Sequence, residues 1–483
     1  MAAACAMLLF VAGALIFRSS QPSPDPGEGR WVQAAEELTD YDVTLKLLPD
    51  SREISITERI AFRNCTGEAL RDLVLRTWLN AFQSEDTSPA AAEELYDACY
   101  PDGFSPGYLT IHDVQWNGEQ RPYAFNDAAQ TVLRVDIPPL PDGEAGEMTL
   151  RCVAKIPVCA HRTGVVDQTY QLGNVIPQVP LYQAHAWRTD EYVPIGDPFV
   201  SPCANYSVRV YLPEEYVPAC SAALERNADG SWYGKIQAAR DVALCVSPNY
   251  VMASGRAGNT PVYAYALSRE GARRAMEDAR KAIETFTSLY GDFPYPSLSV
   301  CSVDFPFGGM EYSGLVMIGQ TYFLDTWKDT LELTVAHETA HQWFYGLVGS
   351  DQVNAPWQDE ALCQYAMLRY VRARYGQSSF DSLKYYQVDA PMMERIPGSL
   401  TPGSPIDYFG SLTDYSAIVY GRGAALLLAL EEMLPQGIDA FLAAYADRFA
   451  YQFVSRAEFE SFLNTWAGAD CSPLLLDYLD TAH

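Results

Sequence analysis

The chain has 483 residues, enough to bury a large core and to hold two or three domains. Hydrophobic residues make up 48% and aromatic residues 12%, which excludes a disordered chain and describes a packed globular protein. A formal net charge of −28 excludes the basic footprint that phosphate binding needs, so no nucleic-acid partner is expected, and cationic ligands such as a peptide's free amino terminus are favoured. The eleven cysteines are irregularly spaced with no CxxC pair, which argues against a zinc ribbon or a thioredoxin-type motif. Apart from Cys5 in the apolar leader, they read equally as disulfides or as buried thiols.

Ala2 to Phe17 is an unbroken apolar run, followed by Arg18 and a stretch rich in proline and glycine. It is somewhat short for a membrane span and lacks the leading positive charge of a secretory signal. Residues 1–20 are therefore expected to be a short signal anchor or an uncleaved export segment, with 21–35 as a linker. On this expectation the protein is membrane-anchored or exported and its functional half lies outside the cytoplasm.

From Tyr41 the apolar period becomes two: Tyr41, Val43, Leu45 and Leu47 alternate with polar residues, and so do Ile54, Ile56, Ile60 and Phe62, with Asp50-Ser51 as the turn between. Such alternation predicts half-buried antiparallel strands. Similar segments recur at Leu73–Leu79, Val132–Ile137, Thr149–Ile156 and Ser207–Leu212, so residues 36–255 are expected to form an antiparallel β-sandwich or saddle. No chemical motif stands out in it. His112, His161 and His185 are scattered and read as structural or surface residues. Asn64-Cys-Thr66 and Asn205-Tyr-Ser207 match the glycosylation acceptor pattern, which matters only in a eukaryotic host.

Near Gly255 the pattern turns helical, so residues 256–483 are expected to be a second, mainly α-helical domain and the whole an α+β multidomain protein. Ala272, Met276, Ala279, Ile283, Phe286 and Tyr290 recur at three- and four-residue steps and stop at Gly291, as a helix over Glu270–Tyr290 would. Ser297–Phe305 alternates again and leads into Phe307-Gly-Gly-Met-Glu-Tyr-Ser-Gly314. Further helices are expected at Trp357–Tyr375, closed by Gly376, and at Tyr415–Leu434.

Between these lies Val335-Ala-His-Glu-Thr-Ala-His-Gln-Trp-Phe-Tyr345. On a helix His337 and His341 stand one turn apart on the same face, where two imidazoles can grip one metal ion. Zinc suits neutral nitrogen ligands, and a catalytic zinc keeps three protein ligands and an open position for water. Glu338 projects beside that water and can take its proton. Downstream, Glu360 opens the next helix and can fold back as the third ligand. One Zn2+ per chain is expected.

Three motifs thus stand in order: Gly308-Gly-Met-Glu-Tyr312, His337-Glu-x-x-His341 with Glu360, and Tyr415-Ser-Ala-Ile-Val-Tyr-Gly-Arg-Gly423. Together they resemble the aminopeptidase-N-like family of zinc metallopeptidases, of the gluzincin type, which includes membrane alanyl aminopeptidases and leukotriene hydrolase. The resemblance extends through Gly173-Asn-Val-Ile-Pro177 and Gly196-Asp-Pro-Phe199. It implies an N-terminal β-saddle on a thermolysin-like catalytic domain, acting on peptides with a free amino terminus. It further implies that Glu311 holds the substrate's α-amine, that Gly308, Gly309 and Met310 contact the substrate with it, and that Tyr420 donates to the oxyanion. Tyr415 is the other candidate for that last role, although a core position suits it better.

Two departures from the family pattern are visible. Tyr312 stands where an asparagine usually follows the amine-binding glutamate, which bears on how the substrate backbone is held. Asp359-Glu360-Ala361 replaces the usual Asn-Glu-Gly. The chain also ends at His483, without the long C-terminal helical domain of large family members, so a more open cleft is expected. Two rival readings are a thermolysin-type endopeptidase, which would not require a free amine, and a membrane-anchored binding or sensor protein that keeps zinc without turnover. An open three-ligand set with a general base counts against the latter, because structural zinc normally has four protein ligands.

Overall fold

The computed structural model describes residues 38–393 and 398–482. The leader 1–20 and the linker 21–35 lie outside the described residues. Among the described residues, no helix is long and apolar enough to cross a membrane.

The first half is built from antiparallel strands. Thr39–Leu48 buries Tyr41, Val43, Leu45 and Leu47 and turns tightly through Pro49–Ser51 into Glu53–Arg63, which buries Ile54, Ile56, Ile60 and Phe62 on the same face. These two strands are central in an eight-stranded sheet. On one side they pair with Ala204–Tyr211, the parallel neighbour, and then Trp232–Ala239; on the other come Ala145–Lys155 and Tyr108–Trp116. A three-stranded sheet holds Leu70–Arg76, Val132–Leu140 and Tyr123–Phe125. The strand expected over Leu73–Leu79 ends at Arg76, because Trp78–Gln83 winds into a 3-10 helix that buries Trp78, Leu79 and Phe82. A four-stranded sheet, Val217–Cys220, Leu244–Ser247, Thr169–Leu172 and Thr163–Val166, faces the second half.

The structure argues against one of the glycosylation matches. Asn64 is fully buried, and its amide donates to the carbonyls of Glu68 at 2.7 Å and Leu140 at 2.9 Å, so a glycan has no access. The ten described cysteines are all free thiols.

The second half opens on a five-stranded mixed sheet in the order Val251–Ala257, Thr260–Ala266, Leu298–Val303, Leu315–Gly319 and Gly309–Met310. Helix Arg269–Tyr290 makes the crossover between two parallel strands, with Ser268 Oγ accepting from the Gly271 amide at its start and Gly291 at its end. Within the segment expected to alternate, all six residues of Leu298–Val303 are buried, since a central parallel strand is covered on both faces. The helices that follow share one core through Phe286, Trp343, Trp357, Tyr365, Tyr370, Leu427 and Phe441. The helix expected over Tyr415–Leu434 is interrupted: Leu412–Tyr415 passes into a π-helical turn at Ser416–Arg422 and then into Gly423–Met433.

The halves are joined by more than apolar contact. At the end of strand Trp232–Ala239, the buried Arg240 guanidinium donates to the carbonyls of Ser201 at 2.9 Å, Tyr345 at 2.5 Å and Gln452 at 2.8 Å. Its neighbour Asp241 accepts from the Ser313 amide at 2.8 Å and from the Tyr345 hydroxyl. One dipeptide therefore ties the β half to the histidine-bearing segment and to the C-terminal region.

The alternation over Glu53–Arg63 also turns Glu58 inward, opposite Val43 and Leu150. The side chain is fully buried, and neither carboxyl oxygen has a hydrogen-bond partner. Burial favours the neutral acid, so the Glu58 pKa lies well above its ordinary value of 4.5. Folding therefore retains a proton, and stability is lost as pH rises from that ordinary value toward the folded one. Glu58→Gln is expected to match the parent near pH 4 and to exceed it by about 1–3 kcal/mol at pH 8, measured by denaturant unfolding at the two pH values.

Candidate active site

Helix Lys328–Ala340 carries His337 and Glu338 in its last turn, and His341 follows with backbone angles that are still helical. Glu360 lies in the first turn of helix Trp357–Tyr375, where the positive end of the helix dipole favours a carboxylate. Packing of the two helices brings three side chains to one point. The Nε2 atoms of His337 and His341 are 3.1 Å apart, and Glu360 Oε2 lies 3.2 Å from the first and 3.3 Å from the second. The expectation that Glu360 folds back onto the histidine pair is met in space.

These residues fit a zinc ion by the chemistry of the donors. His341 Nδ1 donates to Asp359 Oδ1 at 2.6 Å, so in the neutral ring Nε2 keeps its lone pair and faces the Glu360 carboxylate. Two lone-pair donors at 3.3 Å, with a second imidazole beside them, form the N2O set that zinc takes. Burial opposes ionisation of Glu360, but the two imidazoles set against it hold its carboxyl well below the usual range. Burial pushes the His337 pKa down, which favours the neutral ring a metal needs.

Two further carboxyls flank the histidines. Glu338 is buried and lifted by that burial to about 8, a value that a cation at the histidine pair would pull back down. A Cβ on Gly309 would stand 2.3 Å from Glu338 Oε1, so the glycine leaves room for this carboxyl beside the edge strand Gly309–Met310. Glu311 follows that strand, 3% exposed, with an Oε1 that has no hydrogen-bond partner. Carboxylate oxygens of Glu311 and Glu338 and a ring nitrogen of His341 all lie within 4.8 Å of one another.

A cleft of about 530 Å³ reaches His337 and Glu338 and is lined also by Phe307, Gly308, Gly309 and Tyr420. The Tyr420 ring lies 5.6 Å from that of His337 and stacks on it at 26°. Tyr415 also reaches the cleft but packs edge-on against Tyr420 and Phe409 in a local apolar cluster. Met310, expected at the substrate with the two glycines, is instead 1% exposed, with its sulfur 3.1 Å from Arg162 Nε. Tyr312 likewise turns away from the cleft: its hydroxyl donates to Asn174 Oδ1 at 2.6 Å. A Cβ at Gly173 would meet that hydroxyl at 1.9 Å, so the glycine admits the larger residue.

The β half thus reaches the site through residues that sequence reasoning did not single out. Arg162 pairs with Asp197 at 2.6 Å in the buried floor next to Met310 and donates to the Gly196 carbonyl at 3.3 Å. No spacing rule links residues so far apart in the chain; only the resemblance at Gly173-Asn and Gly196-Asp-Pro pointed to those loops. Among the described residues, His112, His161 and His185 join no metal-ligand cluster. His161 is buried among Phe82, Tyr192, Phe305 and Phe307, and the exposed His185 meets Glu68 at 3.0 Å.

Residues 274–478 match the Peptidase family M1 domain. Aminopeptidase N of Homo sapiens is 31% identical over 207 residues, covering 38% of this chain and 20% of that protein. Aminopeptidase N of Lactobacillus delbrueckii subsp. lactis is 21% identical over 401 residues, covering 77% of this chain and 46% of that protein. The chain therefore spans less than half the length of these curated relatives. Among solved structures, an M1 zinc metallopeptidase from Deinococcus radiodurans aligns over 92% of this chain and 94% of its own, with a TM-score of 0.63 at 18% identity. A two-domain M1 zinc metallopeptidase bound to L-arginine aligns over the same shares with a TM-score of 0.65 at 17% identity, so the fold is the two-domain M1 fold. The family match falls on the helices that bring His337, His341 and Glu360 together, so residues 274–478, with the site they carry, are similar to the M1 peptidase domain.

Proposed function

We propose that the protein is a zinc-dependent aminopeptidase that releases N-terminal residues from peptides. The observation that carries this reading is the buried Glu311 carboxyl, which has an unpartnered oxygen and sits within 4.8 Å of Glu338 and His341. An acid left unsatisfied in such a place is costly unless a ligand completes it, and a substrate's α-ammonium does so with opposite charge. An endopeptidase has no use for that group. The named relatives are aminopeptidases, and an M1 zinc metallopeptidase from Deinococcus radiodurans has been solved bound to a Tyr-Ser-Ala substrate, which supports a peptide ligand here.

In this mechanism His337, His341 and Glu360 hold the metal. Zinc bound there supplies Lewis-acid polarisation and makes water acidic enough to deprotonate near neutral pH. Glu311 pairs with the ammonium and fixes the first peptide bond beside Glu338, so cleavage is confined to the chain end. Glu338 takes a proton from the attacking water and delivers it to the leaving amine. Tyr420, a phenol that stays protonated, donates a hydrogen bond to the oxygen on which charge develops.

Glu338→Gln is expected to retain one zinc per chain and to lose about 10²–10⁴-fold in kcat on aminoacyl-coumarin substrates, followed by fluorescence beside metal analysis of the same sample. Parental turnover in that variant would remove Glu338 from the mechanism. Glu311→Gln is expected to cost about 2–5 kcal/mol, roughly 30- to 5,000-fold in kcat/KM, on substrates with a free amine. N-acetylated substrates are expected to be poor for both proteins; rapid cleavage of them by the parent would point to an endopeptidase.

A further inference from the structure

The residue before the third metal-ligand candidate departs from the pattern that the resemblance implies: Asp359 stands where an asparagine is usual. Its side chain is 1% exposed, and both oxygens are engaged. Oδ1 accepts from His341 Nδ1 at 2.6 Å, and Oδ2 accepts from Gln352 Nε2 at 2.5 Å. Gln352, itself buried, lies between the short strand Gly349–Ser350 and helix Trp357–Tyr375, so its amide holds the carboxylate from the side away from the imidazole. The competing acceptor at His341 Nδ1 is the Phe344 carbonyl, at 3.4 Å.

A neutral imidazole has one proton to place. With that proton on Nδ1 and bound to a carboxylate, Nε2 presents its lone pair to the point shared with His337 Nε2 at 3.1 Å and Glu360 Oε2 at 3.3 Å. A hydrogen bond to an ionised acceptor is about twice as strong as one to a neutral amide, so the aspartate grips the ring more firmly than an asparagine would. It also makes the ring a better electron donor.

We propose that Asp359, braced by Gln352, is a positioning residue for the metal centre: it fixes the tautomer and orientation of His341 and sets how tightly this chain holds zinc. The inference rests on the zinc-peptidase reading above but concerns metal affinity rather than turnover.

The test is the zinc dissociation constant of the full chain, measured by competition with a chromophoric chelator. Asp359→Leu is expected to weaken zinc about 10–100-fold. Asp359→Asn is expected to recover most of that loss and to stay about fivefold weaker than the parent, since its carbonyl can serve Nδ1 while Gln352 reverses its amide. In zinc-loaded protein labelled with 15N-histidine, the His341 Nδ1 proton is expected far downfield in the parent and lost from that position in Asp359→Leu; a general loss of packing would not single out this resonance. A folded Asp359→Leu protein that binds zinc within about threefold of the parent overturns the proposal. Should that variant not fold, parental affinity in both Asp359→Asn and Gln352→Leu overturns it. A parent that takes up no zinc overturns the aminopeptidase reading and this inference with it, whereas a parent that binds zinc beside indifferent Asp359 variants overturns this inference alone.

Discussion

Three electron-pair donors have to be held about one van der Waals contact apart: His337 Nε2, His341 Nε2 and Glu360 Oε2, at 3.1, 3.2 and 3.3 Å. Such a group resists assembly, because its members repel or compete for one proton unless a cation sits among them, so it exists only where the scaffold cannot relax. The scaffold here is two helices that approach closely. Ala336 and Ala340 on the histidine helix and Ala361 on its partner are fully buried small residues, and Trp343, Trp357, Tyr365 and Phe286 fill the space around them. Interiors packed to the density of organic crystals transmit such constraints instead of absorbing them.

The β half takes part in that rigidity. Arg240 spends its donors on three carbonyls that belong to different stretches of chain, one of them the Tyr345 carbonyl four residues past His341. Breaking such a buried charge-assisted network leaves unsatisfied groups that cost more than the bonds themselves return in water. Through Arg162, Asp197 and Asn174 the same half forms the floor beneath Met310 and Tyr312, and with it the setting of Glu311. The site belongs to the seam between the halves.

Two buried carboxyls without full hydrogen bonding make an instructive contrast. Glu311 has an orphaned oxygen on a carboxyl that lies within 4.8 Å of Glu338 and His341, the kind of place where proteins tolerate such strain for function. Glu58 has two orphaned oxygens in the middle of an eight-stranded sheet. Nothing in the structure explains its presence there.

Much of this was legible in the chain itself. Period-two alternation marked Thr39–Leu48 and Glu53–Arg63, and three- and four-residue steps ending at a glycine marked Arg269–Tyr290, because these patterns are the direct imprint of one-sided burial. His337, Glu338 and His341 were legible for the same reason: neighbours on one helix face are neighbours in sequence. Where burial was not one-sided the signal failed, as at Leu298–Val303, covered on both faces, and at the π-helical turn that interrupts Leu412–Met433, a change in hydrogen bonding with no mark in residue type. Only the tertiary structure decided that Met310 and Tyr312 turn inward while Glu311 faces the histidines, that Arg162 and Asp197 lie beneath them, and that Asp359 grips His341. Each depends on contacts between segments far apart in the chain, and spacing along a sequence carries no information about distances that folding alone creates.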